Sequence, residues 1–277
     1  MEPNSENLPK PPQLEIQPRS RFRTGIELMI KPVVKSPKVE GLDHLKEINP
    51  GERAIFATSH LSDTDPVIGA AIISKFRQVD LASLQTNQEA FGFALNLIGR
   101  ERFHNVANTF DNEKMMPRTS FEPTNYEEMK QAMEQGRDVV IAAHKPSRDW
   151  RLPDNAGVGD VYLAHLTDAP VIPVAVDIHS ETQAGMAAEF GKTIRRALSG
   201  KRPEVTVRIG APIKFDKIDP NNLKDAGMIL MGKRDELRQD EARYQKALTT
   251  YEVLRQQSEQ VLSAISQMLP PEKRSTK

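Results

Sequence analysis

Short apolar runs typical of β-strands alternate along this chain with longer segments whose apolar residues recur at helical spacing. Strands separated by helices run parallel, because a helical crossover returns the chain to the same end of the sheet. The alternation therefore predicts an α/β fold, with a mostly parallel central sheet flanked by helices on both faces. The predicted strands are residues 54–58, 79–84, 102–106, 138–143, 171–178 and 204–209, and the predicted helices are 66–75, 88–98, 125–135, 158–166 and 185–198.

The two ends of the chain differ from this alternating part. Residues 1–18 are rich in Pro, Asn and Glu with few large apolar side chains, which predicts a disordered tail before an α/β domain over 19–220. Residues 221–277 form a predicted C-terminal helical extension, dominated by one long helix over 233–268. Its apolar residues recur at steps of three, four and seven, so one face must be buried, against the core domain or against a second copy of the chain.

Composition excludes several classes of protein. The 277 residues include 38 basic and 38 acidic ones, so the formal net charge of +0 does not indicate a nucleic-acid partner. The sequence has no cysteine, which excludes disulfides and zinc–thiolate sites. No cluster of His and carboxylates stands at ligand spacing outside one short turn, so no metal site is predicted.

Hydropathy predicts a cytoplasmic location. No stretch approaches the roughly 18 consecutive apolar residues that span a bilayer, and the N-terminus lacks an apolar segment of the secretory type. Residues 22–33 nevertheless place apolar side chains at helical spacing among basic ones. This pattern has two interpretations, a basic amphipathic helix at a membrane surface or a short helix that packs on its own core.

The segment 54–65 carries the most function-like pattern of the chain. An apolar strand leads into a turn that holds His60 and, five positions later, Asp65. Asp65 followed by Pro66 is also a good helix start, so the carboxylate has a purely structural interpretation as a helix cap. The functional interpretation places both side chains at the carboxyl end of a strand, where ligands bind in open α/β sheets.

A histidine held by a carboxylate can act as a general base. A neutral imidazole accepts a proton from an alcohol when an acceptor fixes its other nitrogen, and Asp65 is the predicted acceptor. The sequence has no Gly-x-Ser-x-Gly elbow and no cysteine. The activated hydroxyl is therefore predicted to belong to a substrate.

Five sequence blocks, in order, resemble the glycerolipid acyltransferases, the family of glycerol-3-phosphate and lysophosphatidic acid acyltransferases. The His-x-x-x-x-Asp signature of that family matches His60 and Asp65, and its serine two places beyond the histidine matches Ser62. The likeness covers residues 35–215. Its blocks are 39–46, 54–66, 157–166, 169–176 and 205–213.

The resemblance implies an O-acyltransferase of phospholipid biosynthesis. It would move a fatty acyl group from acyl-CoA or acyl carrier protein onto a hydroxyl of glycerol-3-phosphate or a lysophospholipid. His60 would be the general base and Asp65 would orient it. No cofactor beyond the acyl donor is implied, and a lipid product implies peripheral contact with the inner face of a membrane. The long C-terminal helix could then also cap the acyl channel.

The blocks thought to bind the acceptor's phosphate depart from the family pattern. The third block, usually Pro-Glu-Gly-Thr-Arg-Ser, reads Ala-Ala-His-Lys-Pro-Ser-Arg-Asp over 142–149, without the glutamate and glycine. In the second block an arginine usually follows a glycine by six residues, whereas here Arg100 and Arg102 lie closer to the glycine.

Basic and hydroxyl side chains still suit an anionic ligand. Lys145, Ser147 and Arg148 follow a predicted strand, so we expect them at the same sheet edge as His60, where an arginine fork and an ammonium would bind phosphate. His144 is either a second titrating group or a packed loop residue. Two alternatives to the phosphate acceptor stay open, a lipid-binding module without catalysis and an acyltransferase with a non-phosphate acceptor such as a polyol, a sugar lipid or water.

Overall fold

The structure is a computed structural model of the chain. It describes residues 34–49, 51–62, 65–77, 81–83, 110–111, 116–117, 123–145, 147, 149–179, 199–200 and 202–275. The predictions for the tail 1–18, the segment 22–33, the strand 102–106 and the helices 88–98 and 185–198 lie outside these ranges. So do Arg100, Arg102 and Arg148.

Six strands form one sheet in the order β1-β8-β7-β2-β6-β3, and two short strands pair separately. The central strands β7, β2, β6 and β3 are parallel, whereas β8 runs antiparallel to β7 and β1 follows the direction of β8. The strands are β1 Lys38–Glu40, β2 Ile55–Thr58, β3 Leu81–Ser83, β4 Phe110–Asp111, β5 Met116–Pro117, β6 Asp138–Ala142, β7 Val171–His179 and β8 Glu204–Ile209.

Helices cover both faces of this sheet. They are α1 Asp65–Arg77, α2 Pro123–Glu134, α3 Gly159–Thr167, α4 Pro220–Leu230, α5 Arg234–Leu237 and α6 Glu241–Met268, with 3-10 turns at Leu42–Glu47 and Pro271–Lys273. The predicted α/β class, with a mostly parallel sheet flanked by helices and a long C-terminal helix, is confirmed.

Strand β2 lies in the middle of the core because both of its faces are apolar. Ile55 and Ala57 point into the cluster under α2, α3, α4 and α6, while Phe56 points into the cluster under α1. All three side chains are fully buried. Strands buried on both faces read as continuous apolar runs, which is why this segment was identifiable from sequence.

The C-terminal extension differs from the single helix predicted over 233–268. Asp219 caps α4 by accepting from the backbone N–H groups of Asn221 and Asn222, and the chain turns at Gly232 with φ 77°. Asp240 then caps α6 by accepting from Arg243 N. The extension therefore contains α4 before the predicted helix, and the break capped by Asp240 divides residues 233–268 into the short α5 and the long α6.

Helix α6 buries its apolar face against the core domain, which is one of the alternatives left open by the sequence. Leu254, Val261 and Ile265 are fully buried in the same cluster as Ile55 of β2. The extension thus shares the core of the sheet.

Candidate active site at the carboxyl end of strand β2

His60 follows the carboxyl end of β2, and the neighbouring strands fix its backbone. On the β7 side, Ser59 N donates to Val174 O at 2.9 Å, and Val176 N donates to Ser59 Oγ at 2.9 Å. On the β6 side, His60 N donates to His144 Nε2 at 3.0 Å, and Ser147 N donates to His60 O at 3.0 Å. The residue therefore has little freedom to move along or out of the sheet edge.

The tautomer of the His60 ring follows from its hydrogen bond. Nδ1 lies 2.9 Å from the carbonyl oxygen of Ser62. A backbone carbonyl only accepts, so Nδ1 carries the proton of the neutral ring and donates it. Nε2 is then the unprotonated nitrogen, the one that can take a proton from a substrate.

Asp65 supports the turn that presents this carbonyl. It is the first residue of α1 and is 1% exposed. Its Oδ2 accepts from Leu61 N at 2.9 Å, its Oδ1 accepts from the Ser62 hydroxyl, and its own N–H donates to Ser62 O at 3.2 Å. The Asp65 carboxylate and the Asp65 N–H at the start of α1 thus both stabilise the turn by hydrogen bonds.

This geometry differs from the prediction in which the carboxylate itself holds the ring. The acceptor for Nδ1 is the Ser62 carbonyl, and Asp65 acts through the turn. Ser62 was predicted as a substrate-binding residue, but its hydroxyl donates to Asp65. Spacing alone does not distinguish a side-chain acceptor from a carbonyl in the same turn, since both lie within reach of an imidazole.

Burial makes Asp65 unusually easy to protonate for a carboxylic acid. Removal from water raises the pKa of Asp65 to about 7, while hydrogen bonds from Ser62 and Leu61 and the charge of Lys273 act in the opposite direction. A charged carboxylate suits the two donors to its oxygens described above.

His144 is a packed structural residue. Its Nδ1 donates to Lys145 O at 2.7 Å, and its Nε2 accepts from His60 N. Burial lowers the pKa of His144 to about 4, and the side chain is 3% exposed. Of the two interpretations that the sequence allowed for His144, the structure supports a neutral ring that joins the end of β6 to the end of β2.

Replacing His144 with glutamine should change how stability depends on pH. In wild type the unfolded state protonates this histidine below its ordinary pKa of 6.5, whereas the folded state stays neutral to about 4. Stability is therefore lost as pH falls through this window, by about 1.4 kcal/mol per pH unit. Glutamine keeps an acceptor near His60 N but does not titrate.

The free energies of unfolding of the two proteins should thus converge as pH falls from about 6.5 to about 4. Urea unfolding followed by circular dichroism at several pH values measures this. Buried carboxyls common to both proteins cancel in the comparison. A difference that stays constant across the window would contradict the neutral, buried His144.

A second buried carboxyl lies at the start of α3. Asp160 is 1% exposed, and its Oδ1 accepts from Val161 N at 2.8 Å. Its Oδ2 has no hydrogen-bond partner within the described residues, and burial raises the pKa of Asp160 to about 7. A protonated carboxyl costs less free energy to bury than a charged one, which accounts for a buried Asp160 at this position.

Two of the predicted phosphate-binding residues lie at the sheet edge that holds His60. Lys145 is exposed, directly after His144, and Ser147 donates its N–H to His60 O and its hydroxyl to Asp149 Oδ1 at 2.8 Å. Arg148, Arg100 and Arg102 stay predictions. Within the part of the chain that the structure describes, no three His or acidic side chains gather as metal ligands, and no helix is long and apolar enough to cross a membrane.

The position of the C-terminal segment in this region was not predictable from the sequence. Lys273 Nζ lies 2.5 Å from Asp177 Oδ1, at the carboxyl end of β7 next to β2. The two residues are 96 positions apart. A lone lysine after a helix carries no local pattern that would place it there.

Comparison with solved structures finds several similar chains, and one of them is an acyltransferase. The crystal structure of the 1-acyl-sn-glycerophosphate (LPA) acyltransferase PlsC from Thermotoga maritima is similar to this chain with a TM-score of 0.43 and 14% identity, over 78% of each chain. No family model matches the sequence. A search of curated proteins gave no match either. At this degree of similarity, function has to be argued from the residues of the site.

Proposed function

We propose that this protein is an O-acyltransferase that moves a fatty acyl group from the thioester of acyl-CoA or acyl carrier protein onto a hydroxyl of glycerol-3-phosphate or a lysophospholipid. The observation that carries the proposal is the His60 ring at the sheet edge, with Nδ1 bonded to the Ser62 carbonyl. This bond makes Nε2 the basic nitrogen, and His60 is the histidine of the acyltransferase-like His-x-x-x-x-Asp pattern.

The proposed reaction is a direct transfer. Nε2 of His60 takes the proton of the acceptor hydroxyl while the oxygen of that hydroxyl attacks the thioester carbonyl. The tetrahedral intermediate then collapses, the carbon–sulfur bond breaks, and the imidazolium returns its proton to the departing thiolate. Throughout, Nδ1–H donates to Ser62 O, and the nearby Asp65 carboxylate favours the transient positive charge.

The acyl donor is a co-substrate, and the proposed reaction uses no cofactor because proton transfer and thiol departure involve no oxidation or reduction. Because the proposed product is a lipid, we propose a cytoplasmic protein with peripheral contact at the inner face of a membrane. Residues 22–33, with apolar and basic side chains at helical spacing, are the proposed contact.

The acceptor's phosphate is proposed to lie beside His60. Lys145 is exposed at the rim and Ser147 is bonded to His60 O, and Arg148 comes next in sequence. Charge-assisted hydrogen bonds from such a cluster are roughly twice as strong as neutral ones. Arg100 and Arg102 are the remaining candidates for the phosphate.

A panel of hydroxyl acceptors tests this function. Purified protein is given one radiolabelled long-chain acyl thioester and, separately, glycerol-3-phosphate, a lysophospholipid, glycerol, a sugar lipid or water. We expect transfer to a phosphate-bearing acceptor. Lys145→Ala should raise KM for that acceptor about tenfold with little change in kcat, since the loss is of ground-state charge pairing.

The other outcomes are equally informative. Transfer to a polyol, a sugar lipid or water at unchanged KM in Lys145→Ala would assign a non-phosphate acceptor, which the missing glutamate and glycine of the third block favour. Tight lipid binding with no transfer to any acceptor would identify a lipid-binding module. Lys214→Ala is the matched control, because that lysine pairs with Glu52, which precedes β2 at the opposite end of the sheet.

A further inference from the structure

The segment that follows α6 reaches the edge of the sheet that holds His60. Leu269 is 1% exposed, and a 3-10 turn at Pro271–Lys273 directs Lys273 toward β7. Lys273 Nζ donates to Asp177 Oδ1 at 2.5 Å and to Ile178 O at 2.8 Å. The lysine side chain is 16% exposed and the aspartate side chain 1%, so this ion pair is largely removed from water.

The same segment is tied to the loop that follows β6. Leu152 N donates to Lys273 O at 2.9 Å, and the Ser275 hydroxyl donates to the Asp154 carboxylate. Leu152 is itself buried, which anchors the loop on its apolar side. Residues 269–275 therefore hold two elements at once, the end of β7 through the Lys273 side chain and the loop 149–157 through the Lys273 carbonyl and the Ser275 hydroxyl.

That loop continues to His60 through a short series of contacts. Arg151 N and the Ser147 hydroxyl both donate to Asp149 Oδ1, at 3.3 Å and 2.8 Å. Ser147 N donates to His60 O. A displacement of the loop would thus act on the carbonyl side of the histidine.

The charge of Lys273 also reaches the other side of the histidine. Its ammonium lowers the pKa of Asp65 against the effect of burial. The Asp65 carboxylate closes the turn whose Ser62 carbonyl holds His60 Nδ1. Lys273 is therefore linked to the carbonyl side of the histidine through its backbone oxygen, and to the turn through its charge.

We propose that Lys273 is a positioning residue for His60, and that the segment 269–275 acts as a brace that sets the orientation and tautomer of the imidazole. The importance of this brace for turnover rests on the proposed function. Its effect on the ring itself does not, and can be measured without any substrate.

Lys273→Gln is the informative substitution. Glutamine keeps a donor toward Asp177 and Ile178 O but removes the charge. Asp177 retains Arg208 Nη1 and His179 Nε2, each at 3.5 Å from Oδ2, so its carboxylate is not left unpaired. Lys273→Arg restores the charge, and Lys214→Gln removes a lysine from an ion pair at the opposite end of the sheet.

Nuclear magnetic resonance of histidine- and aspartate-labelled protein measures the effect. In wild type, the His60 nitrogens should report a single Nδ1–H tautomer. In Lys273→Gln we expect a mixture of tautomers, an upward shift of the pKa of the Asp65 carboxyl, and kcat lower by about tenfold. Lys273→Arg should recover all three, and Lys214→Gln should match wild type.

A wild-type tautomer and an unchanged Asp65 titration in Lys273→Gln would overturn the proposal, whatever the activity. If wild type transfers no acyl group, the proposed function fails, yet the spectra still decide the role of Lys273. If Lys273→Gln does not fold, Ser275→Ala releases the segment from Asp154 while keeping the ammonium. A smaller shift of the same kind then supports the brace, and unchanged His60 signals overturn it.

Discussion

His60→Ala is expected to lower kcat at least a hundredfold without unfolding the protein. General-base catalysis contributes about two to four decades in rate, or roughly 3 to 5 kcal/mol of barrier. The ring is held through its backbone and through Nδ1, so its loss removes the proton acceptor and leaves the sheet intact. Thiol release from an acyl thioester, with and without acceptor, measures the change.

The matched control for this substitution is His165→Ala. His165 is also a part-buried histidine with a hydrogen-bond partner, Gln257, but it lies in the last turn of α3. We expect near wild-type turnover in this variant. Circular dichroism checks that both variants are folded. A His60→Ala protein that turned over like wild type with every donor tried would remove the histidine from the mechanism.

Asp138→Ala should lower the free energy of unfolding by about 3 to 5 kcal/mol, the usual cost of removing one partner of a buried ion pair. Asp138 is fully buried at the start of β6. It accepts from Arg77 Nε at 2.8 Å and from Ala54 N at 3.0 Å. Its loss leaves a largely buried guanidinium without its carboxylate and a buried N–H without an acceptor. Urea unfolding measures the change.

Glu204→Ala provides the comparison for Asp138. Glu204, the first residue of β8, also forms an ion pair, with Lys35 at 3.0 Å, but both side chains are mostly exposed. Such pairs are screened by water and should contribute little. If the two substitutions lowered stability equally, burial would not be what makes the Arg77–Asp138 pair important.

The parallel part of the fold was predictable because its strands are buried on both faces. The runs in β2, β6 and β7 contain few polar residues, and helices of ordinary length separate them. Strand β1, with only three residues, carries no such signal. The antiparallel direction of β8 was not predicted either, since it depends on the path of the chain between β7 and β8.

The sequence predicted a helical C-terminal extension but not the number of helices in it. The apolar spacing of α6 is clear in the sequence, whereas the break before it depends on the cap at Asp240, and the earlier break after α4 lies at Gly232. Both kinds of signal were present in the sequence. The continuous apolar spacing favoured a single helix, and the capping residues alone were too weak a signal to predict the break.

The candidate site was predictable where it is local in sequence. His60 and Asp65 occupy one turn, and the structure places them there. The bond from His60 N to His144 Nε2 joins residues 84 positions apart, and such a contact has no local signal. Neither the ring tautomer nor the buried state of Asp65 can be obtained from residue spacing.

The backbone of His60 is bonded through both its N–H and its carbonyl to the loop that follows the neighbouring strand β6. Opening of that loop would break both bonds without separating the strands, and local loop openings cost less free energy than global unfolding. Heat inactivation would then begin below the temperature of global melting, because the histidine loses its backbone partners before the sheet separates.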